Sequence, residues 1–87
     1  MLGDFWTLAI IQSLAVSEKR FKEIQNDIEG ISPTTLSNRL KRLESEKLIF
    51  RKEETLDKLS VAYSLTHKGD GILPILLEIK KFSSKFL

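Results

Sequence analysis

The sequence feature that most constrains the fold is a short turn, Gly30-Ile31-Ser32-Pro33, between two segments with helical spacing. Glycine favours the left-handed conformation that ends many helices, and serine followed by proline is typical of a helix N-terminus. One helix is therefore predicted to end, and the next to begin, within about three residues. Such a turn is typical of a helix-turn-helix unit, predicted here over residues 21–47.

The segments on both sides of this turn have apolar residues three and four positions apart, as one face of a helix requires. Those before the turn are Phe21, Ile24 and Ile28. Those after it, in a helix predicted over residues 33–47, are Leu36, Leu40 and Leu43. The second helix thus has one narrow apolar stripe, and its opposite face carries only hydrogen-bonding and cationic side chains.

The rest of the chain adds a hairpin and two terminal helices. Residues 48–52 and 61–65 are β-prone, and Val61, Tyr63 and Leu65 alternate onto one face, which predicts an antiparallel hairpin, or wing, over residues 48–65. Residues 4–15 form a helix capped by Asp4, and Thr66 caps a last helix over residues 66–86 that Pro74 bends. The predicted fold is mainly α with a small β-hairpin (α+β), a winged helix-turn-helix.

Both terminal helices carry more apolar surface than a chain of 87 residues without cysteine can cover by itself. Residues 1–87 are therefore predicted to be a single domain that forms a homodimer through its first and last helices. The residues expected at that interface are Phe5, Trp6, Ile10, Ile75, Ile79, Phe82 and Phe86. For the first helix, a role as the central core helix of its own domain is the open alternative.

The positive charge is concentrated in the helix-turn-helix and the first strand of the wing. The whole chain has a net charge of +2, but residues 31–52 carry six basic and two acidic side chains, +4, which leaves −2 for the remainder. This distribution points to double-stranded DNA as partner, with the helix over residues 33–47 in the major groove. The expected DNA contacts are Ser32, Thr34, Thr35, Ser37, Asn38, Lys41, Arg42, Arg51 and Lys52.

The side chains of these residues differ in whether they are suited to contact bases or phosphates. Asn38 suits a bidentate contact to adenine, while Lys41 and Arg42 reach guanine or phosphate. Thr34 and Ser37 suit a phosphate or a thymine methyl group, and Ser32 lies at a helix N-terminus, where backbone amides attract phosphate.

The sequence predicts no enzyme, cofactor or metal site. His67 is the only histidine and cysteine is absent, so thiolate metal sites, disulfides and thiol redox chemistry are excluded for this sequence. The apolar opening of about a dozen residues is shorter than the roughly 20 that span a bilayer, and no basic residue precedes it as in a secretory signal. We expect a cytoplasmic, nucleoid-associated protein without membrane contact.

The sequence resembles the HxlR-type transcriptional regulators, which are relatives of the MarR group. Gly-Asp-Phe-Trp-Thr-Leu at 3–8 is similar to that family's Gly-Lys-Trp-Thr-Leu opening, and Arg-Phe-Lys-Glu-Ile at 20–24 to its Arg-Phe-x-Glu-Leu. Residues 30–40 match its run Gly-Ile-Ser-x-x-x-Leu-x-x-Arg-Leu. Tyr-Ser-Leu-Thr at 63–66 with Gly69 matches Tyr-x-Leu-Thr-x-x-Gly, and Leu73-Pro74 resembles its Leu-x-Pro kink.

The resemblance implies a small homodimeric regulator of bacteria or archaea that binds operator DNA and dimerises through its first and last helices. Some members sense electrophiles or oxidants through a cysteine, which this sequence lacks. Residues 53–58 at the wing tip also have a net charge of −2, which phosphates would repel.

Two alternatives remain open. The acidic wing favours a winged-helix module that binds protein and has no role on DNA. MarR relatives often bind small effectors near the dimer interface, so the resemblance also implies that an effector of unknown identity could bind beside Trp6, Phe82 and Phe86, although such aromatic residues are more often interface packing.

Overall fold

The computed structural model describes residues 4–53 and 61–71 of the chain. Its elements are α1 (Phe5–Val16), β1 (Lys19–Arg20), α2 (Phe21–Asp27), α3 (Pro33–Ser45), β2 (Ile49–Glu53), β3 (Val61–Leu65) and α4 (His67–Asp70). The strands form one antiparallel sheet in the order β1-β3-β2. A mainly helical fold with a small antiparallel sheet is thereby confirmed.

The turn between α2 and α3 has the predicted geometry. Gly30 has a φ of +82°, the left-handed conformation that a side chain would strain. The Ser32 hydroxyl accepts a hydrogen bond from the Thr35 N–H at 3.1 Å, and Pro33 is the first residue of α3. The leucine stripe of α3 is buried in a core shared with α1 and α2, which fixes the outward face of the helix.

Helix α3 ends two residues before the predicted limit. Lys47 has a φ of +62°, and the Leu48 N–H donates to the Leu43 carbonyl at 2.9 Å. This is the Schellman arrangement, in which a left-handed residue turns the chain out of the helix. It directs the chain straight into β2.

The sheet has a third strand that the sequence analysis did not predict. Lys19 lies opposite Tyr63 and Arg20 opposite Ala62, in a segment to which no element was assigned. Two polar residues are too short a run to show the alternation by which a strand is recognised. Their pairing covers the edge of β3 and joins the end of α1 to the wing.

Helix α1 packs its inner side into the core and leaves an apolar strip outside. Asp4 caps it by accepting from the Thr7 N–H at 3.1 Å. Ile10 was predicted to face a dimer partner, and this is wrong: it is fully buried against this chain's own core and has no surface to offer. Phe5 and Val16, by contrast, are 69% and 81% exposed.

The last helix begins where it was predicted. The Thr66 hydroxyl accepts from the Gly69 N–H at 3.0 Å and donates to the Lys47 carbonyl at 2.6 Å, which anchors α4 to the end of α3. The remainder of the helix predicted over residues 66–86 lies outside the described residues, as do Pro74, the wing tip over residues 54–60 and the four predicted interface residues Ile75, Ile79, Phe82 and Phe86. Within the described ranges, no helix has the length and apolar character that crossing a membrane requires.

A polar network joins α1, β1 and α2 beneath the exposed side of α1. The Ser13 hydroxyl donates to the Asp27 carboxylate at 2.7 Å, and Lys19 lies 3.4 Å from the same carboxylate oxygen. Lys19 also donates to the Ser13 carbonyl. The Ser13 hydrogen bond and Lys19 hold the pKa of Asp27 below its ordinary value of 3.8, against an opposing effect of burial.

We expect Asp27→Asn to lower the free energy of unfolding at neutral pH. A carboxyl group whose pKa is lower in the folded than in the unfolded chain stabilises the fold at any pH above the unfolded-state pKa. This contribution is lost as the pH falls through the pKa of the folded state. The difference in free energy of unfolding between wild type and Asp27→Asn should therefore narrow below pH 3.8. Urea unfolding at several pH values measures it, with Glu44→Gln, an exposed carboxylate without an ion pair among the described residues, as the control.

Candidate nucleic-acid interface

The outward face of α3 presents polar and cationic side chains in a continuous row. Thr34, Asn38, Lys41 and Arg42 are exposed, while Thr35 and Ser37 at the flanks are half-buried. This arrangement follows from the 100° step of the helix, because the leucine stripe turns the other residues toward solvent. All the predicted reading residues of α3 therefore share one surface.

Ser32 lies at the start of this surface, but its hydroxyl is used within the protein. Besides accepting from the Thr35 N–H, it donates to the Thr35 hydroxyl at 3.0 Å. Ser32 thus fixes the first turn of α3, and a phosphate at this helix end would find the hydroxyl proton already engaged.

The predicted cationic contacts on α3 and β2 differ in whether they form an ion pair within the protein. Arg42 lies 3.5 Å from Glu46 one helical turn away, and Arg51 lies 3.6 Å from Glu53. Both pairs are well exposed, where water screens such contacts and they stabilise a fold by at most about 1 kcal/mol. Lys41 and Lys52 make no ion pair with any described residue. All four cations can therefore turn toward phosphate at small cost.

The two predicted contacts in β2 point to opposite faces of the sheet. Arg51 lies opposite Tyr63 and Lys52 opposite Ala62, and side chains alternate along a strand. Only one of the two can therefore face the same stretch of DNA backbone as α3.

Arg51 opens onto a cleft that the sequence analysis did not identify. The cleft lies between the sheet and the start of α2 and has a volume of about 670 Å³. Its lining consists of Arg20, Phe21, Lys22, Glu23, Arg51, Val61 and Tyr63. Arg20 and Lys22 were not among the expected DNA contacts, because nothing in the sequence shows that β1 brings them next to Arg51.

Arg39 is the one basic residue of α3 that turns toward the protein. Its guanidinium donates to the Asp4 carboxylate at 2.8 Å, and both side chains remain about one-third exposed, at 33% and 29%. The pKa of Asp4 lies below its ordinary value because of the Arg39 hydrogen bond first and the Thr7 N–H second. The cap of α1 and the flank of α3 are thus held by the same carboxylate.

A second groove runs along the exposed side of α1. Phe5, Ala9, Gln12 and Val16 follow one another at helical spacing along it, and the end of α2 closes the other side. Its volume is about 500 Å³. This groove holds Phe5, one of the predicted interface residues, whereas Trp6 packs partly against the core. In residues 4–53 and 61–71, no cluster of histidine, aspartate and glutamate has the arrangement of a metal site.

Comparison with known proteins identifies the family of the chain. The family model for HxlR-like helix-turn-helix proteins matches residues 1–87. The chain is 41% identical over 86 residues to the uncharacterized HTH-type transcriptional regulator BH0655 of Halalkalibacterium halodurans, covering 98% of this chain and 76% of that protein. It is 35% identical over 86 residues to the HTH-type transcriptional regulator YodB of Bacillus subtilis, covering 99% of this chain and 77% of that protein.

Solved structures give the same result for the fold. The reduced form of YodB superposes with a TM-score of 0.86 at 35% identity, covering 98% of this chain and 83% of that one. A protein of Porphyromonas gingivalis described as a MarR-family transcriptional regulator gives a TM-score of 0.89 at 37% identity, covering 99% and 84%. The fold is a winged helix, its relatives are transcriptional regulators rather than enzymes, and the chain belongs to the HxlR-like helix-turn-helix family.

Proposed function

We propose that this chain is a homodimeric regulator that binds double-stranded DNA sequence-specifically, with α3 in the major groove. The observation that carries the proposal is the outward face of α3, where exposed hydrogen-bonding and cationic side chains stand opposite a fully buried leucine stripe. A helix held in this way projects its whole polar face, as a recognition helix must. A role in the cytoplasm, at the nucleoid, follows from such a function.

The side chains in the middle of that face are the ones suited to reading bases. Asn38 is exposed and uncharged, so its amide can donate to and accept from one adenine edge. Lys41, one turn further on, and Arg42 beside it are suited to guanine or to the flanking phosphates.

Phosphate binding extends from α3 onto the wing side of the molecule. Arg51 with Arg20 and Lys22 around the cleft forms a second cationic area, separate from α3 and built from three different elements. Contacts in this area would bind the DNA backbone without reading the base sequence. Lys52 would contact phosphate only from the other face of the sheet.

Dimerisation is proposed through the exposed side of α1 together with the last helix. Phe5 and Val16 are among the most exposed large apolar side chains of the described residues, and they lie along the same groove. Covering them removes apolar surface from water, which is the main driving force for subunit association. A two-fold dimer would present two α3 helices to two half-sites.

A salt titration of binding to random duplex DNA tests the proposal. Three cationic contacts per chain, from Lys41, Arg42 and Arg51, make six in a dimer, since Lys52 lies on the other face of the sheet. The logarithm of the association constant should then fall against the logarithm of salt concentration with a slope of about −5, or about −3 if half of the contacts form. Undetectable binding at about 50 mM salt, or binding indifferent to salt, would contradict the proposal.

Two variants separate base reading from phosphate binding. Asn38→Ala should relax base preference at one position of each half-site, at about 1 to 3 kcal/mol of discrimination. Arg51→Gln should weaken binding to all sequences alike and make the salt slope shallower by about 1 per chain.

A further inference from the structure

We propose that Asp4 is a positioning residue for DNA reading: through Arg39 it fixes the rotation of α3 about its own axis, and so sharpens base discrimination without adding affinity. This inference rests on the proposed function of α3 and assigns a role to a residue that the DNA does not touch.

The contact joins two elements that the sequence separates widely. Asp4 and Arg39 are 35 positions apart, and their 2.8 Å hydrogen bond links the first turn of α1 to the middle of α3. A guanidinium and a carboxylate form a directional, charge-assisted bond, which is shorter and stronger than a neutral one.

The position of Arg39 on α3 makes this bond sensitive to rotation. Arg39 directly follows Asn38 and precedes Arg42 by three residues, so it lies at the edge of the outward face. The remaining attachment described for the middle of α3 is the leucine stripe, whose burial is non-directional. A polar bond at the edge of the helix therefore limits a rotation that apolar packing restrains less sharply.

Asp4 is itself held firmly enough to serve as an anchor. Its other carboxylate oxygen accepts the Thr7 N–H, and Thr7 is fully buried in the first turn of α1. Three positions further on, Ile10 is buried in the core. Arg39 is thus tied to the rigid part of the domain, and base reading requires placement within about 0.5 Å and 10 to 20°.

The same carboxylate works against affinity. Asp4 lines a cavity of about 360 Å³ together with Asn38, Arg39 and Arg42, beside the surface proposed to meet phosphates. A negative charge there opposes the attraction between α3 and the DNA backbone. Loss of the charge should therefore leave binding to random DNA unchanged or tighter, while discrimination falls, a combination that general destabilisation does not produce.

The experiment uses the full chain and two duplexes: the sequence that wild type enriches from a random pool, and a random duplex. Asparagine caps a helix as well as aspartate does, so Asp4→Asn keeps the cap of α1 and removes the charge. We expect the ratio of the two affinities to fall roughly tenfold, as when one good base contact is lost, with binding to random duplex no weaker.

Glu46→Gln is the matched control. It removes one carboxylate from the other ion pair of α3, but its partner Arg42 lies on the same helix, so no contact between elements is lost. The affinity of Glu46→Gln for random duplex should change as it does in Asp4→Asn, while the ratio of its affinities for selected and random duplex stays equal to that of wild type. Arg39→Lys, which keeps the charge and loses the planar guanidinium, should lower the ratio with the net charge unaltered.

Circular dichroism and the thermal midpoint of each variant verify that it is folded. If Asp4→Asn does not fold, the affinity ratio of Arg39→Lys tests the inference instead. A ratio equal to that of wild type in both variants would overturn the inference and leave the proposed function intact. A parallel loss of selected and random binding in folded variants would also overturn it. A wild-type chain that enriches no sequence would overturn the proposed function and this inference together.

Discussion

Gly69→Ala should destabilise the domain by about 3 kcal/mol or more, although it adds a single methyl group. A Cβ atom at this position would overlap the carbonyl oxygen of Leu48 and lie 3.1 Å from the Leu65 side chain. The oxygen cannot rotate away, because it belongs to the backbone and already accepts the Thr66 N–H at 3.1 Å. The start of α4 would have to separate from the chain that links α3 to β2.

Thermal or urea unfolding measures this effect. A domain of this size is stable by about 5 to 10 kcal/mol, so the expected loss is a large fraction of the total and a shift of roughly 15 °C in Tm. Gly71→Ala is the matched control, since its Cβ would make an ordinary contact at 3.4 Å with the Lys68 carbonyl, and its φ is −63°. That variant should be neutral or slightly stabilised, and equal behaviour of the two would contradict the close approach at Gly69.

Reversing the two exposed cations of α3 should weaken DNA binding by on the order of a hundredfold at low salt. The double variant Lys41→Glu and Arg42→Glu loses two phosphate contacts and sets two negative charges against the backbone. Because both side chains are exposed and neither supports the core, the fold should survive the change. Titration of a labelled random duplex measures the loss.

A control with the same change in net charge separates local contact from general repulsion. Lys47→Glu with Lys68→Glu places two reversed charges at the far end of α3, where Lys68 donates to the Glu46 carbonyl. Its effect on binding should be several-fold smaller. An equal loss of affinity in the two double variants would contradict direct contact between the outward face of α3 and the DNA.

Local signals predicted the centre of the fold well. The turn at Gly30, the cap at Ser32 and the spacing of the leucines each depend on a few neighbouring residues, and all three agree with the structure. Elements that depend on distant partners were harder to recognise. Strand β1 exists only because β3 lies beside it, and the inward placement of Ile10 depends on which side of a helix apolar all round the core occupies.

The candidate site shows the same division. The helical step was sufficient to place Thr34, Asn38 and Lys41 on one surface. The cleft that joins Arg20 to Arg51 and the bond between Asp4 and Arg39 link residues far apart in sequence, so no spacing rule could predict them. Gly69 is a similar case, because only the structure shows why a side chain does not fit there: the backbone carbonyl of Leu48 occupies the space.

The central claim is that a dimer of this chain reads DNA with α3, and selection of bound duplexes from a random pool tests it most directly. The account predicts enrichment of an inverted repeat, with half-site centres about 10 base pairs or a multiple of that apart. One preferred base in each half-site should lose its enrichment in Asn38→Ala. Salt-dependent binding that enriches no sequence, or an enriched site without two-fold symmetry, would contradict it.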